Sequence, residues 1–453
     1  MNMETTQDAF LKVESLGIEA VPDSQRHGRP RDLGFLWAGA FVNYASVLTA
    51  SLLTNYFGLG VWDGLLAVGL GSLAGAVILG LLSNTGVRSG LPQIVFTRGI
   101  LSAAGARAGA LLTLFLAVGW FAVDTVIAAQ AGAQLVGGGG RPATFAWTLV
   151  VAALSVVVAV YGHKTIQVFE TWGAVTFAVL SALLFVALAG QMNWTAGPAK
   201  TGADYPGAFV LGFMSCFALV ASWYPFASDY SRYLPRTSSV RAVTWWPVAG
   251  VVLPMLLLGL FGLLIPTIDP KLAAADPNGP IAVISKHGGW LAVPFFLFVI
   301  VGEVWANYLD VYTAGLVTLT LGVRLRRWQT ALGCGVLGTL LASYAVLITD
   351  FHSAYTDFLI LTYLWAPAWA AVVLLAFFVF GDARPGHALA AWLAGTLASL
   401  VFVNYPNLFG SVFPSAHFPN QALIDALRGA DLSGLVSVAV AAGLYAGLRR
   451  LRR

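Results

Sequence analysis

The chain has 453 residues, of which 58% are apolar and 10% charged, with a mean hydropathy of +0.80 and a formal net charge of +4. A soluble domain carries about 25% charge, so this composition excludes a water-soluble globular protein and turns most of the surface toward lipid. At roughly 20 to 25 residues per span plus short loops, ten to fourteen membrane helices fit the length.

In chain order, residues 1–33 are polar and read as a cytoplasmic tail, with no signal peptide expected because the first apolar run is already span-length. Apolar runs then predict twelve transmembrane helices, at about 34–56, 62–83, 107–135, 145–162, 171–190, 207–228, 243–265, 289–322, 330–349, 356–380, 387–403 and 433–448. They make an all-α polytopic membrane protein with one transmembrane domain over 34–448 and a basic tail at 449–453. The segment 84–106 holds Pro92 and Arg98 and is too polar to span, so it reads as a cytoplasmic loop with an interfacial helix. The stretch 404–432, with Pro406, Pro414 and Pro419, reads as an external loop. Cys216 and Cys334 fall inside apolar runs and read as packing residues rather than a disulfide framework.

Charge orients the map. With the N-terminus inside, the outer segments hold five basic residues, Arg141, Lys200, Lys271, Lys286 and Arg428, and the inner segments hold the other 19 of the 24. Such a bias places both termini in the cytoplasm of a plasma-membrane protein and requires an even number of helices. It also accounts for the pI near 9.1 without nucleic acid.

Acids behave differently from bases. Asp124 in the third span, and Glu303 and Asp310 in the eighth, sit at membrane depth, and Asp229 lies at the cytoplasmic end of the sixth. Intramembrane ionisable groups are costly and mark polar pathways. With no base inside a span to neutralise them, they must be protonated, hydrated or paired with an exogenous cation. Cation movement is the first functional inference.

Glu303, Asn307 and Asp310 are spaced i, i+4, i+7 and share one helix face, with Trp305 and Thr313 nearby. The plain alternative is a polar stripe that joins two helices by hydrogen bonds. Trp120 and Asp124 are likewise i and i+4, in mid-span, where Trp is unusual. A planar heterocycle stacked on such a ring gains about 1 to 3 kcal/mol; the alternative is a packing or lipid-facing Trp. The first span carries Gly39, Asn43, Ser46 and Asn55, and the sixth carries Ser215, Ser222, Pro225 and Ser228, so both look interruptible. Broken helices at matching positions of two halves point to a transporter's substrate site.

Other classes lack their signatures. The string Gly162-His163-Lys164-Thr165 lacks the phosphate-loop spacing of an ATP-driven pump. The six histidines, His27, His163, His287, His352, His387 and His417, are scattered through loops and the tail, unlike a metalloenzyme's ligands. No repeated pore motif marks a channel. Secondary transport remains, with no enzymatic activity, no cofactor, no nucleic acid and no obligate protein partner expected.

Several strings resemble one family. Val13-Glu14-x-x-Gly17-Ile18-Glu19-x-Val21-Pro22 followed by Arg26 looks like the N-terminal signature of purine–cytosine permeases, of the nucleobase:cation symporter-1 family. Similar to that family's pattern are Trp37-Ala38-Gly39-Ala40-x-x-Asn43, Gly119-Trp120-x-x-x-Asp124, Ala227-Ser228-Asp229-Tyr230-Ser231-Arg232-Tyr233-Leu234-Pro235, Ala306-Asn307-x-x-Asp310-x-Tyr312-x-x-Gly315-Leu316 and Tyr363-x-Trp365.

The resemblance implies a leucine-transporter-like fold, with inverted five-helix repeats over about 34–190 and 207–380 and two extra helices over about 387–448. It implies a substrate held between helices 1, 3, 6 and 8, with Trp120 stacking on it, Asp124 and Asn307 hydrogen bonding to it, and Gly39 and Asn43 at the helix 1 break. A second aromatic comes from helix 6: some relatives place it at the position of Val220, others at Trp223, and Phe217 is a further candidate. Asp310, Glu303 and Thr313, with carbonyls around Gly39 to Val42, form the cation-coupling neighbourhood, and Asp229 and Arg232 a gate at the cytoplasmic mouth. Symport of a neutral nucleobase, cytosine or a purine, with a proton is therefore expected. Sodium near Asp310 and Thr313 is the alternative ion. Allantoin, hydantoin, uracil, pyridoxine or thiamine is the alternative cargo, and a passive channel the alternative class.

Overall fold

A computed structural model describes residues 18–137, 139–161, 165–275, 279–323, 325–404 and 419–451. The N-terminal part of the signature, Val13 to Gly17, and the loop residues Pro406 and Pro414 lie outside them, as do His163 and His417. Lipid offers no hydrogen bonds to a backbone, so the apolar runs close theirs internally as helices, and no strand occurs among the described residues.

The helices are α1 (Pro30–Phe41), α2 (Tyr44–Asn55), α3 (Val61–Ser89), α4 (Gln93–Phe96), α5 (Arg98–Leu135), α6 (Arg141–Tyr161), α7 (Thr165–Leu188), α8 (Tyr205–Ala221) and α9 (Ala227–Ser231). They continue as α10 (Val240–Leu264), α11 (Pro270–Ala273), α12 (Gly279–His287), α13 (Ala292–Leu321), α14 (Arg327–Leu347), α15 (Phe351–Leu374), α16 (Pro385–Ser399), α17 (Gln421–Ala426) and α18 (Ser433–Arg450). Each of the twelve expected spans coincides with helix. Nine described helices are long and apolar enough to cross a membrane, and α1 with α2, bent by 61° at their junction, makes a tenth. The described apolar stretch of α7, Gly173–Leu188, is shorter, so the count of twelve is not established.

The reading of 84–106 as a loop is corrected. α3 runs on to Ser89, α4 adds one turn, and α5 begins at Arg98, so Arg88, Arg98 and Arg107 all ride on helices. Hydropathy ends where the hydrocarbon ends, but backbone hydrogen bonding carries helices further. Gly90 stops α3 in the left-handed region at φ 73°. A break at Ser102 (φ 69°, ψ 173°) separates the first turn of α5 from the rest.

Both expected interruptions are present. α1 ends at Phe41, and Asn43, extended at φ −143° and ψ 173°, accepts the Ser46 N–H at 3.1 Å to cap α2. α8 ends at Ala221, and a tight turn through Pro225, which has no N–H to continue a helix, leads to α9. Two groups of helices pack most closely within themselves: α5, α6, α13 and α14 in one, and α1, α2, α3, α8 and α10 in the other, while α15, α16 and α18 pack together.

Candidate solute site

Asp124 on α5 and Glu303 on α13 are buried, only 5% and 2% exposed, on two helices that pack closely together. Glu303 Oε2 and Asp310 Oδ2 are buried with no hydrogen-bond partner. None of the described ion pairs involves the three acids.

One turn before Asp124, Trp120 is half-buried and meets the rings of α15 edge-on: Phe358 at 5.2 Å and 89°, Tyr355 at 6.2 Å and 69°. Gly119 makes this approach possible, since a Cβ there would stand 2.2 Å from the Phe358 ring. Tyr355 Oη hydrogen bonds with Thr49 Oγ1 of α2 at 2.7 Å, tying α15 to the second half of the broken first span. The Trp120 indole N–H has no partner. Aromatic walls one turn from a buried carboxyl suit a flat solute whose ring lies on carbon and whose edge reaches Asp124. Tyr355, Phe358 and Thr49 are not singled out by the sequence, where they read as ordinary membrane-helix residues.

Asn307 lies one turn beyond Glu303 and is fully buried, its Nδ2 donating to Thr125 Oγ1 and Ser155 Oγ at 3.0 Å each. Its amide donors therefore face α5 and α6, and only Oδ1 is without a partner. Thr313 is buried one turn beyond Asp310. Trp223, half-buried in the turn after α8, packs with Trp37 at 5.5 Å and Phe41 at 6.4 Å. Phe217 stacks with Phe213 and meets Tyr224 edge-on. Among the described residues neither ring touches Trp120; the rings that do come from α15.

Around the helix 1 break the carbonyls have internal partners. Gly39 O accepts the Val42 N–H at 3.3 Å, Ala40 O accepts Asn43 Nδ2 at 2.9 Å, and Phe41 O accepts Ser46 Oγ at 2.7 Å. Asn43 thus shapes the break from both sides. Where α9 meets α4, Asp229 Oδ1 accepts the Gln93 backbone N–H at 2.7 Å, and Gln93 Oε1 accepts from the Ser228 N–H and Thr85 Oγ1. Arg232 is 1% exposed, with Nη2 donating to Tyr233 Oη at 3.0 Å and its guanidinium over the Tyr233 ring. Below them, Val21 N donates to Gly90 O, and Arg26 donates to the Val87 and Val21 carbonyls. Gln93, the hub of these hydrogen bonds, carries no signal of its own in the sequence.

Membrane helices broken around a buried polar site, with two groups of helices meeting at it, define a multi-pass membrane permease rather than an enzyme. Residues 20–385 match the family described as permeases for cytosine/purines, uracil, thiamine and allantoin, and the chain belongs to that family. YxlA of Bacillus subtilis, a purine-cytosine permease by name, is 24% identical over 98% of this chain and 97% of its own. Among solved structures, Mhp1 in an inward-facing conformation superposes with a TM-score of 0.72 at 15% identity, over 97% of this chain and 96% of its own. Mhp1 is described as a nucleobase-cation-symport-1 family transporter, and its closed form with bromovinylhydantoin bound gives 0.69 at 15% identity, over 97% and 95% of the two chains. The fold is that of Mhp1, as the leucine-transporter-like expectation required.

Proposed function

We propose that this chain is a secondary active importer of a neutral nucleobase, cytosine or a purine, carried with a proton by alternating access. The observation that carries the reading is the placement of Trp120 against Tyr355 and Phe358, one turn from the buried carboxyl of Asp124. A base stacked on Trp120 gains about 1 to 3 kcal/mol, and its ring N–H or amino edge has a carboxyl oxygen of Asp124 within one helical turn. The purine-cytosine name of YxlA supports the same solute class, and the symport description of Mhp1 supports ion coupling.

Asp124, Glu303 and Asp310 are the coupling acids in this reading, and Asp229 with Arg232 closes the cytoplasmic mouth. Asn43, Gly39 and Val42 shape the helix 1 break; Trp223 and Phe217 brace helix 6 beside the solute. The repeats cover about 34–190 and 207–380, the extra helices about 387–448, and both termini lie in the cytoplasm of a plasma-membrane protein. Sodium is the second ion to consider, because Asp310 Oδ2 is a buried oxygen without a partner next to Thr313.

The test uses purified protein in proteoliposomes. A thermal-shift panel of nucleobases, allantoin, hydantoins, pyridoxine and thiamine selects the solute, and counterflow of that solute is then followed under a proton gradient or a sodium gradient. Saturable counterflow of cytosine or a purine, with uptake driven by an acid exterior, is expected. Uptake that ignores pH and requires sodium would overturn the proton assignment, and flux without saturation or counterflow would overturn the carrier itself.

A further inference from the structure

Two residues with positive φ bracket one short arm of the chain. Gly90 (φ 73°) ends α3, and Ser102 (φ 69°, ψ 173°) interrupts α5. Residues 91–101, with α4 and the first turn of α5, therefore stand apart from both long helices. Glycine takes up a positive φ without a steric penalty. Serine does not: a φ near +70° with ψ near 180° is a region almost reserved for glycine, and another residue stays there only where its surroundings hold it.

The hydrogen bonds of the arm supply that hold. The Gln93 N–H donates to Asp229 Oδ1 at 2.7 Å, the Ser228 N–H to Gln93 Oε1 at 3.1 Å and Ser228 Oγ to the Leu91 carbonyl at 2.9 Å, fastening the arm to α9. Farther along, Arg98 Nη2 donates to the Thr320 carbonyl at 3.3 Å, in the last turn of α13. α9 packs on α3, whereas α13 packs on α5, so the arm bridges the two helix groups. Beneath it the seam between them is shut. Ile94 and Val95 of the arm, Pro225 and Asp229 at α9, and Val317 and Thr320 of α13 stand around a cavity of only about 10 Å³, no more than a single water needs.

We propose that Ser102 is the hinge of a strap over this seam. With the Ser102 backbone left-handed, the arm lies across α9 and α13 and the seam is shut. With that backbone turned into the helical region, α5 becomes continuous from Arg98 onward and carries the arm off the seam. The proposal rests on the alternating-access reading above and names the residue about which one mouth opens. The two states set opposite terms against each other. Closing makes the arm's hydrogen bonds and strains Ser102; opening gives up those bonds, relaxes Ser102 and completes the helical ladder of α5. The strain thus keeps the shut state from becoming too stable to leave. Glycine at position 102 would relieve the shut state and weaken the helix of the open one, so both of its effects favour closure.

The test reads the rate at which a water-soluble maleimide labels a Val317→Cys reporter in the purified full chain, with the unsubstituted chain as background. Val317 is 4% exposed beside the arm, and the native Cys216 and Cys334 are buried. The reporter protein is expected to label slowly, as the strap opens and closes. Adding Ser102→Gly should slow labelling by about 5- to 150-fold, the equivalent of the strain of about 1 to 3 kcal/mol that glycine removes. Adding Ser102→Ala, which keeps the Cβ and loses only the hydroxyl, should leave the rate within about twofold. Labelling of the Ser102→Gly protein as fast as the reporter alone overturns the proposal, and makes the break in α5 a fixed kink. Equal slowing by Ser102→Ala overturns it as well, because the hydroxyl and not the backbone would then be responsible. A reporter that never labels overturns it too, since the seam then does not open. Counterflow by the wild-type chain in proteoliposomes is measured alongside: its absence overturns instead the carrier reading beneath the proposal, while the labelling rates still decide the hinge.

Discussion

Asn307→Ala separates two roles that one residue is asked to play. The resemblance makes Asn307 a solute ligand, whereas the structure turns both of its amide donors to Thr125 and Ser155 at 3.0 Å, behind the site. At about 0.5 to 1.5 kcal/mol per hydrogen bond, their loss removes about 1 to 3 kcal/mol of stability, with a further contribution from the gap left by a fully buried side chain. Differential scanning fluorimetry in detergent reads this as a fall in Tm, roughly 2–4 °C per kcal/mol for a domain near 200 residues and less for a longer chain. Solute affinity by isothermal titration is expected to stay within about threefold, which corresponds to roughly 0.7 kcal/mol. Ser155→Ala added to Asn307→Ala should cost little more, because the shared bond is already gone. An unchanged Tm with affinity weakened about tenfold or more, some 1.4 kcal/mol, would refute the reasoning and return the amide to the solute.

Trp120→Ala should weaken solute binding by about 1 to 3 kcal/mol, or roughly 5- to 150-fold, and Trp120→Phe by less; equal affinity in all three proteins would remove the ring from the site. Asp229→Ala strips the acceptor from the Gln93 N–H and should loosen the cytoplasmic closure, read as faster thiol labelling of a Ser228→Cys reporter from the inner side. Unchanged labelling would reject that role. Asp350 caps α15 through the His352 and Ser353 N–H groups, so Asp350→Ala should cost about 0.5 to 2 kcal/mol. Burial opposes its charge, yet hydrogen bonds from His352 and Ser353 hold this carboxyl well below the usual range. Its folded pKa lies below the unfolded one, so the contribution is present above about pH 4 and lost as pH falls further. The Tm gap between wild type and Asp350→Ala should therefore narrow on acidification, and a gap that widens would contradict the assignment.

The fold was largely legible because lipid imposes a simple rule: each run of apolar residues must close its own backbone hydrogen bonds. Asn43 and Pro225 announced the broken helices through local chemistry alone. The segment 84–106 misled because hydropathy measures immersion, and α3 and α5 extend beyond it. In the site, Trp120, Asp124 and Glu303 stood out as residues that lipid would not tolerate without a reason. Their placement did not, since Asp124 and Glu303 are buried on two helices brought together only by the packing of α5 on α13. Tyr355 and Phe358 carry no signal of their own, and they become a wall only when α15 is laid across Trp120. Gln93 hid in a segment too polar to be read as structure.

The central claim is that a nucleobase and a proton cross together through the site of Trp120, Asp124 and Glu303. Its most direct test records external pH with a dye while cytosine, or the purine selected by binding, is added to de-energised proteoliposomes. Coupled import predicts alkalinisation of the medium in fixed ratio to solute taken up, abolished in Glu303→Gln. Uptake with no pH change, restored only by sodium, would contradict it.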